Sequence, residues 1–240
     1  PKAPPPAFTT STLLQAASAQ LRFKPAQTAK VSQSLFEQGL ITYHRTDSQN
    51  LSEEAIAEIR AYAAAQNLPL PAAPRKWPSK EDAQEAHEAI RPSHIEVESA
   101  GETKEDRALY ELIRKRALAS QLADAVYAST MVGLEGVSDG QKFHFVARSN
   151  VLKEPGWRSL TVKDATDEGE EEEEAAGNVP QKAVGATLTA DSGEVLEKTT
   201  EPPQRYSQAG LIKKLEQLGI GRPSTYASII TSIMARGYVE

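Results

Sequence analysis

The 240-residue chain has no cysteine, which excludes disulfides, thiolate metal sites and a cysteine nucleophile, and fits a reducing compartment such as the cytoplasm. Its four histidines are scattered, with no pair at the helical spacing that a metal site uses. No apolar run approaches the roughly 20 residues of a membrane-spanning helix, and the opening Pro-Lys-Ala-Pro-Pro-Pro-Ala lacks a signal-peptide core. A basic excess is also missing: the net charge is −6, which by itself argues against a nucleic-acid partner. That acidity is local. Residues 164 to 174 hold eight acidic side chains, and subtracting them from the net −6 leaves a formal +2 on the remainder. The run reads as a solvated loop, so the whole-chain charge says little about the working surface. The proline-rich opening and the abrupt close on Arg-Gly-Tyr-Val-Glu predict a piece cut from a longer protein.

What is present is a helical pattern over 9 to 128. Thr9 to Thr12 precede Leu13, Leu14, Ala17 and Leu21; a second helix carries Val31, Leu35 and Phe36 and stops at Gly39. Ser52 is the expected cap of a third helix ending near Ala65, with Glu53 and Glu54 in its first turn. A fourth is expected from Ser79 to Ile90, ended by Arg91-Pro92, and a longer one from Lys104 to about Leu122. From residue 126 the period shortens, predicting a hairpin of 126–134 and 142–149 around Asp139-Gly140, with further strands near 157–163, 183–190 and 194–199. At the end, Ser207 caps a helix with Leu211, Ile212, Leu215 and Leu218, and Gly-Ile-Gly-Arg-Pro turns into a helix capped by Ser224. Tyr238-Val239 then opens a strand, completing the outline of a helix-turn-helix with a wing. The fold class is therefore α+β.

Three constellations carry candidate chemistry. Residues 40 to 46 read as extended, with Ile41, Tyr43 and Arg45 on one face and Thr42, His44 and Thr46 on the other. A phenol, with an ordinary pKa of about 10, serves as a nucleophile only beside cations that favour the phenolate and stabilise the phosphoryl group it attacks. Arg45 could bind that phosphate bidentately, through two of its guanidinium nitrogens, and Asp47 either orients Arg45 or caps the turn with Ser48 and Asn50. In the second, a helix through 84–91 puts Gln84, His87, Glu88 and Arg91 on one polar face. In the third, Gly219 to Tyr226, backbone N–H groups, the Ser224 and Thr225 hydroxyls and Arg222 form an anion site suited to a nucleic-acid phosphate. Each also has an ordinary reading: an exposed strand face, an ion-paired surface helix and a capped helix with proline in its first turn.

Taken together, Gly-Leu-Ile-Thr-Tyr-His-Arg-Thr-Asp-Ser resembles the active-site segment of type IA DNA topoisomerases, Glu-Ala-His-Glu-Ala-Ile-Arg-Pro their second signature, and Arg-Tyr-Ser-Gln-Ala through Gly-Ile-Gly-Arg-Pro-Ser-Thr-Tyr-Ala a third, with the start at Phe8 matching entry into the tyrosine-bearing domain. The order of four motifs across nearly the whole chain, and the form Gly-Arg-Pro-Ser-Thr-Tyr-Ala, is similar to the bacterial topoisomerase I branch. His44 departs from the methionine or proline more usual there. The resemblance implies a linker (1–7), a winged-helix or CAP-like helical domain bearing the catalytic tyrosine (8–128), a β-rich gate-supporting segment (129–200) with an acidic loop (164–178), and the start of a DNA-binding helical domain (201–240).

It further implies that Tyr43 and Arg45 are catalytic. Asp47, His87, Arg91, Arg222, Ser224 and Thr225 support the reaction or hold DNA. The product is a 5′-phosphotyrosine on single-stranded DNA, and strand passage and religation then relax negative supercoils without ATP. Mg²⁺ is implied for the full-length enzyme on a preceding Toprim domain, with no metal site in this stretch, a monomeric state, and a cytoplasmic, nucleoid-associated location without membrane contact. The 240 residues alone are expected not to relax DNA, and efficient Mg²⁺-dependent relaxation by them would refute that. Among other enzymes that esterify DNA to tyrosine, a relaxase should show His-X-His and a recombinase an Arg/His set upstream of a C-terminal tyrosine; neither occurs. The rival of another class is a winged-helix DNA-binding module without catalysis.

Overall fold

The computed structural model of the chain describes residues 1–78, 88–160, 179–180, 182–189 and 191–239. The run 164–174 and His87 lie outside them. By contact the chain forms two compact units, one of Pro1–Val126, Glu154–Ala165 and Tyr206–Glu240, the other of Tyr127–Lys153 and Thr166–Arg205.

The first unit is helical. Helix α1 (Thr10–Leu21) starts at a capping box, in which Thr9 and Thr12 each bond the other's backbone N–H. Helix α2 (Pro25–Glu37) has proline at its first position, where no N–H is needed, and ends in a turn through Gly39 at φ +70°, a conformation that costs glycine least. Helix α3 (Glu53–Ala65) is capped by Ser52 as expected, and α4 (Lys104–Ala119) by a Thr103/Asp106 capping box. The apolar stripe of α4, Leu109, Leu112 and Ile113, meets Phe8, Leu13, Leu35, Ile41 and Ile90 in the main core.

Helices α5 (Gln208–Gln217) and α6 (Tyr226–Ala235) belong to this unit as well. Helix α5 packs on α1, α6 packs on α2, and Leu14 of α1 joins Ile212, Tyr226 and Ile230 in a second apolar cluster.

The second unit contains the expected hairpin, longer than the pattern suggested: β1 (Val126–Ser138) and β2 (Gln141–Glu154) are joined by Asp139-Gly140, both at positive φ as a type I′ turn requires. With six α-helices and one two-stranded sheet described, the fold is mixed α and β.

Several expected elements are different. Of the strand at 157–163, Gly156–Leu160 is instead a 3₁₀ helix that buries Trp157, and the rest lies outside the described residues. Residues 183–189 and 194–199 form no strand: Val184 and Val195 are exposed, and apolar alternation without a pairing edge has nothing to hydrogen-bond. The helix expected at 79–90 lies outside the described residues through 87, while Glu88, Ala89 and Ile90 are not helical. Their N–H groups are drawn elsewhere, Ala89 to the Asn50 carbonyl at 2.8 Å and Ile90 to the Phe8 carbonyl at 2.8 Å. Helix α4 stops three residues before Leu122, which closes a tight turn onto the Ala119 carbonyl. The wing strand at Tyr238-Val239 is absent among the described residues, because Gly237 and Tyr238 bond back to Met234 and Ile233 as a helix end.

Candidate active site

The segment after α2 is irregular rather than a strand; only Ile41 pairs, in a single antiparallel bridge to Pro92. Ile41 turns into the core, against the expectation that it shares a face with Tyr43. From Tyr43 onward the expected alternation holds: Tyr43, 46% exposed, and Arg45 face out, while His44 and Thr46 are buried. Thr10, in the first turn of α1, fixes this alternation. Its hydroxyl donates to the His44 carbonyl at 2.7 Å and accepts the Thr46 amide at 2.9 Å, while its own amide donates to the Thr46 carbonyl at 2.9 Å. Replacing Thr10 by valine keeps the shape but leaves these groups without that partner. We expect a loss of about 1–3 kcal/mol, read as a lower urea midpoint with unchanged slope.

The Tyr43 ring stands edge-on to Phe36 at 5.2 Å and to His44 at 5.4 Å between centroids. These contacts hold the ring without covering it. The residue before Tyr43 joins this segment to the second signature. The Thr42 amide donates to the Arg91 carbonyl at 2.9 Å, the Arg91 amide to the Thr42 hydroxyl at 3.0 Å, and that hydroxyl to the Ala89 carbonyl at 2.9 Å. Glu88 and Arg91 do pair, at 2.7 Å, but across an extended stretch rather than a helix face, and Glu88 also accepts the Ser52 amide at 2.8 Å. Arg91 is thereby aimed by Glu88 and by its own bond to the Pro92 carbonyl at 2.8 Å.

The third signature reaches the same region. A cleft of about 290 Å³ is lined by Lys30 and Gln33 of α2, by His44 and Arg45, and by Pro223 and Ser224 from the turn before α6. Ser224 is not the helix cap: the cap position falls to Thr225, whose hydroxyl is turned back to accept the Arg222 amide at 2.8 Å, leaving Ser224 exposed to the cleft. The Arg222 guanidinium donates to the Gly221 carbonyl at 3.0 Å and is exposed, and Asp47 is partly buried. Ser48 and Asn50 are held by side-chain bonds to the backbone, the Ser48 amide on the Thr46 hydroxyl at 3.0 Å and the Asn50 amide on the Ser48 hydroxyl at 3.3 Å. The Asn50 side chain does something unforeseen and makes two bonds of 2.8 Å to the backbone of Trp77.

Lys30 and Gln33 carry no signal in the sequence, because three residues apart on α2 they look like an ordinary solvated face. Burial holds His44 below the ordinary histidine pKa, helped by the Arg45 charge and opposed by Glu37. The lining carries two cations and no carboxylate, a donor set that suits an anion and does not fit a divalent metal ion.

A model of the DNA topoisomerase family matches residues 1–240. A plasmid-borne DNA topoisomerase I of Xylella fastidiosa is 47% identical over 242 residues, covering 100% of this chain and 37% of that protein. DNA topoisomerase 1 of Escherichia coli K12 is 43% identical over 243 residues, covering 97% of the chain and 26% of that protein. Among solved structures, full-length topoisomerase I from Thermotoga maritima superposes with a TM-score of 0.75 at 30% identity, over 100% of this chain and 39% of that one.

Proposed function

The chain belongs to the DNA topoisomerase family, spanning roughly a quarter to two-fifths of the relatives it matches, and on that premise we propose that it carries the nucleophile of a type IA enzyme acting on single-stranded and negatively supercoiled DNA. The observation that carries this reading is convergence: an exposed tyrosine directly precedes His44 and Arg45, which line an anion-suited cleft together with a second, sequence-distant motif, and its other neighbour Thr42 is hydrogen-bonded to a third.

In the reaction the Tyr43 phenol oxygen attacks a backbone phosphorus. A phosphotyrosine bond forms to the 5′ phosphate, the bond to the 3′ oxygen breaks, and that oxygen leaves as a 3′ hydroxyl with a proton. One ester replaces another of similar energy, so religation is the same step reversed and needs no ATP. Arg45 takes the charge on the scissile phosphate; Arg91, held by Glu88, and Arg222, Ser224 and Thr225 hold the strand; Asp47 and His87 support the site.

The domain assignment proposed with this reading keeps residues 8–128 as the winged-helix, tyrosine-bearing part, 129–200 as gate-supporting and 201–240 as DNA-binding. Mg²⁺ is assigned to a Toprim domain outside these residues, and the whole protein to a monomer working on DNA in the cytoplasm. Among the described residues no helix is long and apolar enough to cross a membrane.

The test is direct. The intact protein mixed with end-labelled single-stranded DNA and quenched with detergent should yield a protein–DNA adduct whose modified peptide contains Tyr43. An adduct on another residue sinks the assignment. Arg45→Ala should lower the cleavage rate about 10²–10³-fold, the loss typical of removing one charge-stabilising donor from a transition state. Arg45→Lys should recover only part of it, because an ammonium cannot make the two-pronged contact.

A further inference from the structure

His44 is the buried side chain of this region that the proposed reaction leaves without work. It is 6% exposed, lines the cleft, and its Nδ1 has no hydrogen-bond partner among the described residues. A buried imidazole nitrogen without a partner costs free energy, so the position is disfavoured unless something else uses it. The surroundings indicate what that is. Lys30 of α2 and Arg45 are the charged groups lining the cleft with it; Ser224 and Gln33 offer further donors; Thr10 and Leu13 of α1, and Pro223 and Ala227 from around the start of α6, bring no charge. Glu37, at the end of α2, is the acidic group that acts on the ring, and the Tyr43 phenol belongs to the neighbouring ring.

We propose that a phosphodiester of single-stranded DNA seated in this cleft is met by His44 in its imidazolium form, so that DNA binding at this site takes up a proton. The inference deepens the reading given above and rests on it.

Protonation of His44 and binding of the phosphodiester are linked. Without an anion, burial and the Arg45 charge favour the neutral ring, since its charged form has lost water and gained a like-charged neighbour. A phosphodiester reverses both effects by supplying an acceptor and a countercharge at short range in a partly desolvated place. The ring's affinity for a proton is then higher with DNA than without it. Between those two values, affinity for DNA must rise as pH falls, by up to about tenfold per pH unit for one proton. A thioether at the same position cannot do this. A methionine there would make binding at this cleft insensitive to pH, so the residue choice sets how binding responds to acid.

The experiment measures binding of a fluorescent single-stranded oligonucleotide to the intact protein at constant salt, from about pH 8 down to about pH 5, across the range where histidine titrates. A Tyr43→Phe background keeps cleavage out of the readout. Affinity should rise several-fold towards acid in that background, and His44→Met and His44→Gln should each flatten the rise. Calorimetry in buffers of different ionisation enthalpy should show proton uptake on binding that both His44 variants reduce. His87, His94 and His144 are common to all these proteins, so the difference isolates His44. Equal pH slopes with and without His44 overturn the inference while leaving the DNA-binding reading intact. Absence of single-strand binding at every pH overturns that reading, and this inference with it.

Discussion

Tyr43→Phe in the intact protein should abolish the covalent DNA adduct and all strand cleavage while leaving single-strand binding within a few-fold of the parent. The substitution removes one oxygen and nothing else the fold uses. The ring keeps its edge contacts with Phe36 at 5.2 Å and His44 at 5.4 Å, and the backbone here is held by Thr10 and Thr42 rather than by the phenol. The ring is also 46% exposed, so packing loss is slight. Stability should therefore change by less than about 0.5 kcal/mol, the usual range for a surface position. No neighbouring hydroxyl is a natural substitute: the nearest in sequence, Thr42 and Thr46, are committed to the Ala89 carbonyl and the Ser48 amide. Loss of cleavage together with loss of binding would point to a misfolded site instead, and retained cleavage would remove Tyr43 from the mechanism. A plain binding module predicts neither adduct nor any effect of this variant on chemistry, so the same gel separates the two classes.

The site was legible where its geometry is local. Tyr43 and Arg45 alternate with His44 and Thr46 because successive residues of an extended segment face opposite ways, and that pattern survives although no strand forms. Ser52, Ser207 and the hairpin turn at Asp139-Gly140 were readable for the same reason: a cap or a two-residue turn is decided by neighbours in sequence. Ser224 shows the limit. Either of two adjacent hydroxyls could cap α6, yet neither does: Thr225 takes the cap position, but its hydroxyl bonds back to Arg222 instead of to the helix. What the sequence could not display was pairing at a distance. Ile41 turns inward to bridge Pro92, Ile90 gives its N–H to Phe8, and Lys30 and Gln33 become cleft residues only once the turn before α6 comes to lie beside α2. The strands expected near 183–190 and 194–199 fail on the same ground over the described residues 183–189 and 194–199, since a strand exists only with a partner whose sequence offers no signal at that spot.

The largest expected loss of stability comes from a residue remote from the chemistry. Trp157→Ala should destabilise the helical unit by about 3–5 kcal/mol, the range for emptying a buried aromatic site. Trp157 is fully buried in the 3₁₀ helix that packs on α4, just after the chain re-enters this unit at Glu154. Its amide donates to the Ala123 carbonyl at 2.9 Å and its indole N–H to the Lys2 carbonyl at 3.0 Å; Lys2 in turn pairs with Ala125 in an antiparallel bridge. One side chain thus ties the first residues, the end of α4 and the returning chain together. Gly156 makes the fit possible: at φ +49° it passes so close to the Asp124 carbonyl that a Cβ there would overlap backbone, which cannot swing aside. Trp157→Phe keeps most of the apolar volume and gives up the bond to Lys2, so it should cost about 1–2 kcal/mol. Urea unfolding followed by far-ultraviolet circular dichroism reads both. If Trp157→Ala and Trp157→Phe unfold at the same midpoint, the filled volume is not what holds this junction, and the hydrogen bond to Lys2 carries it instead.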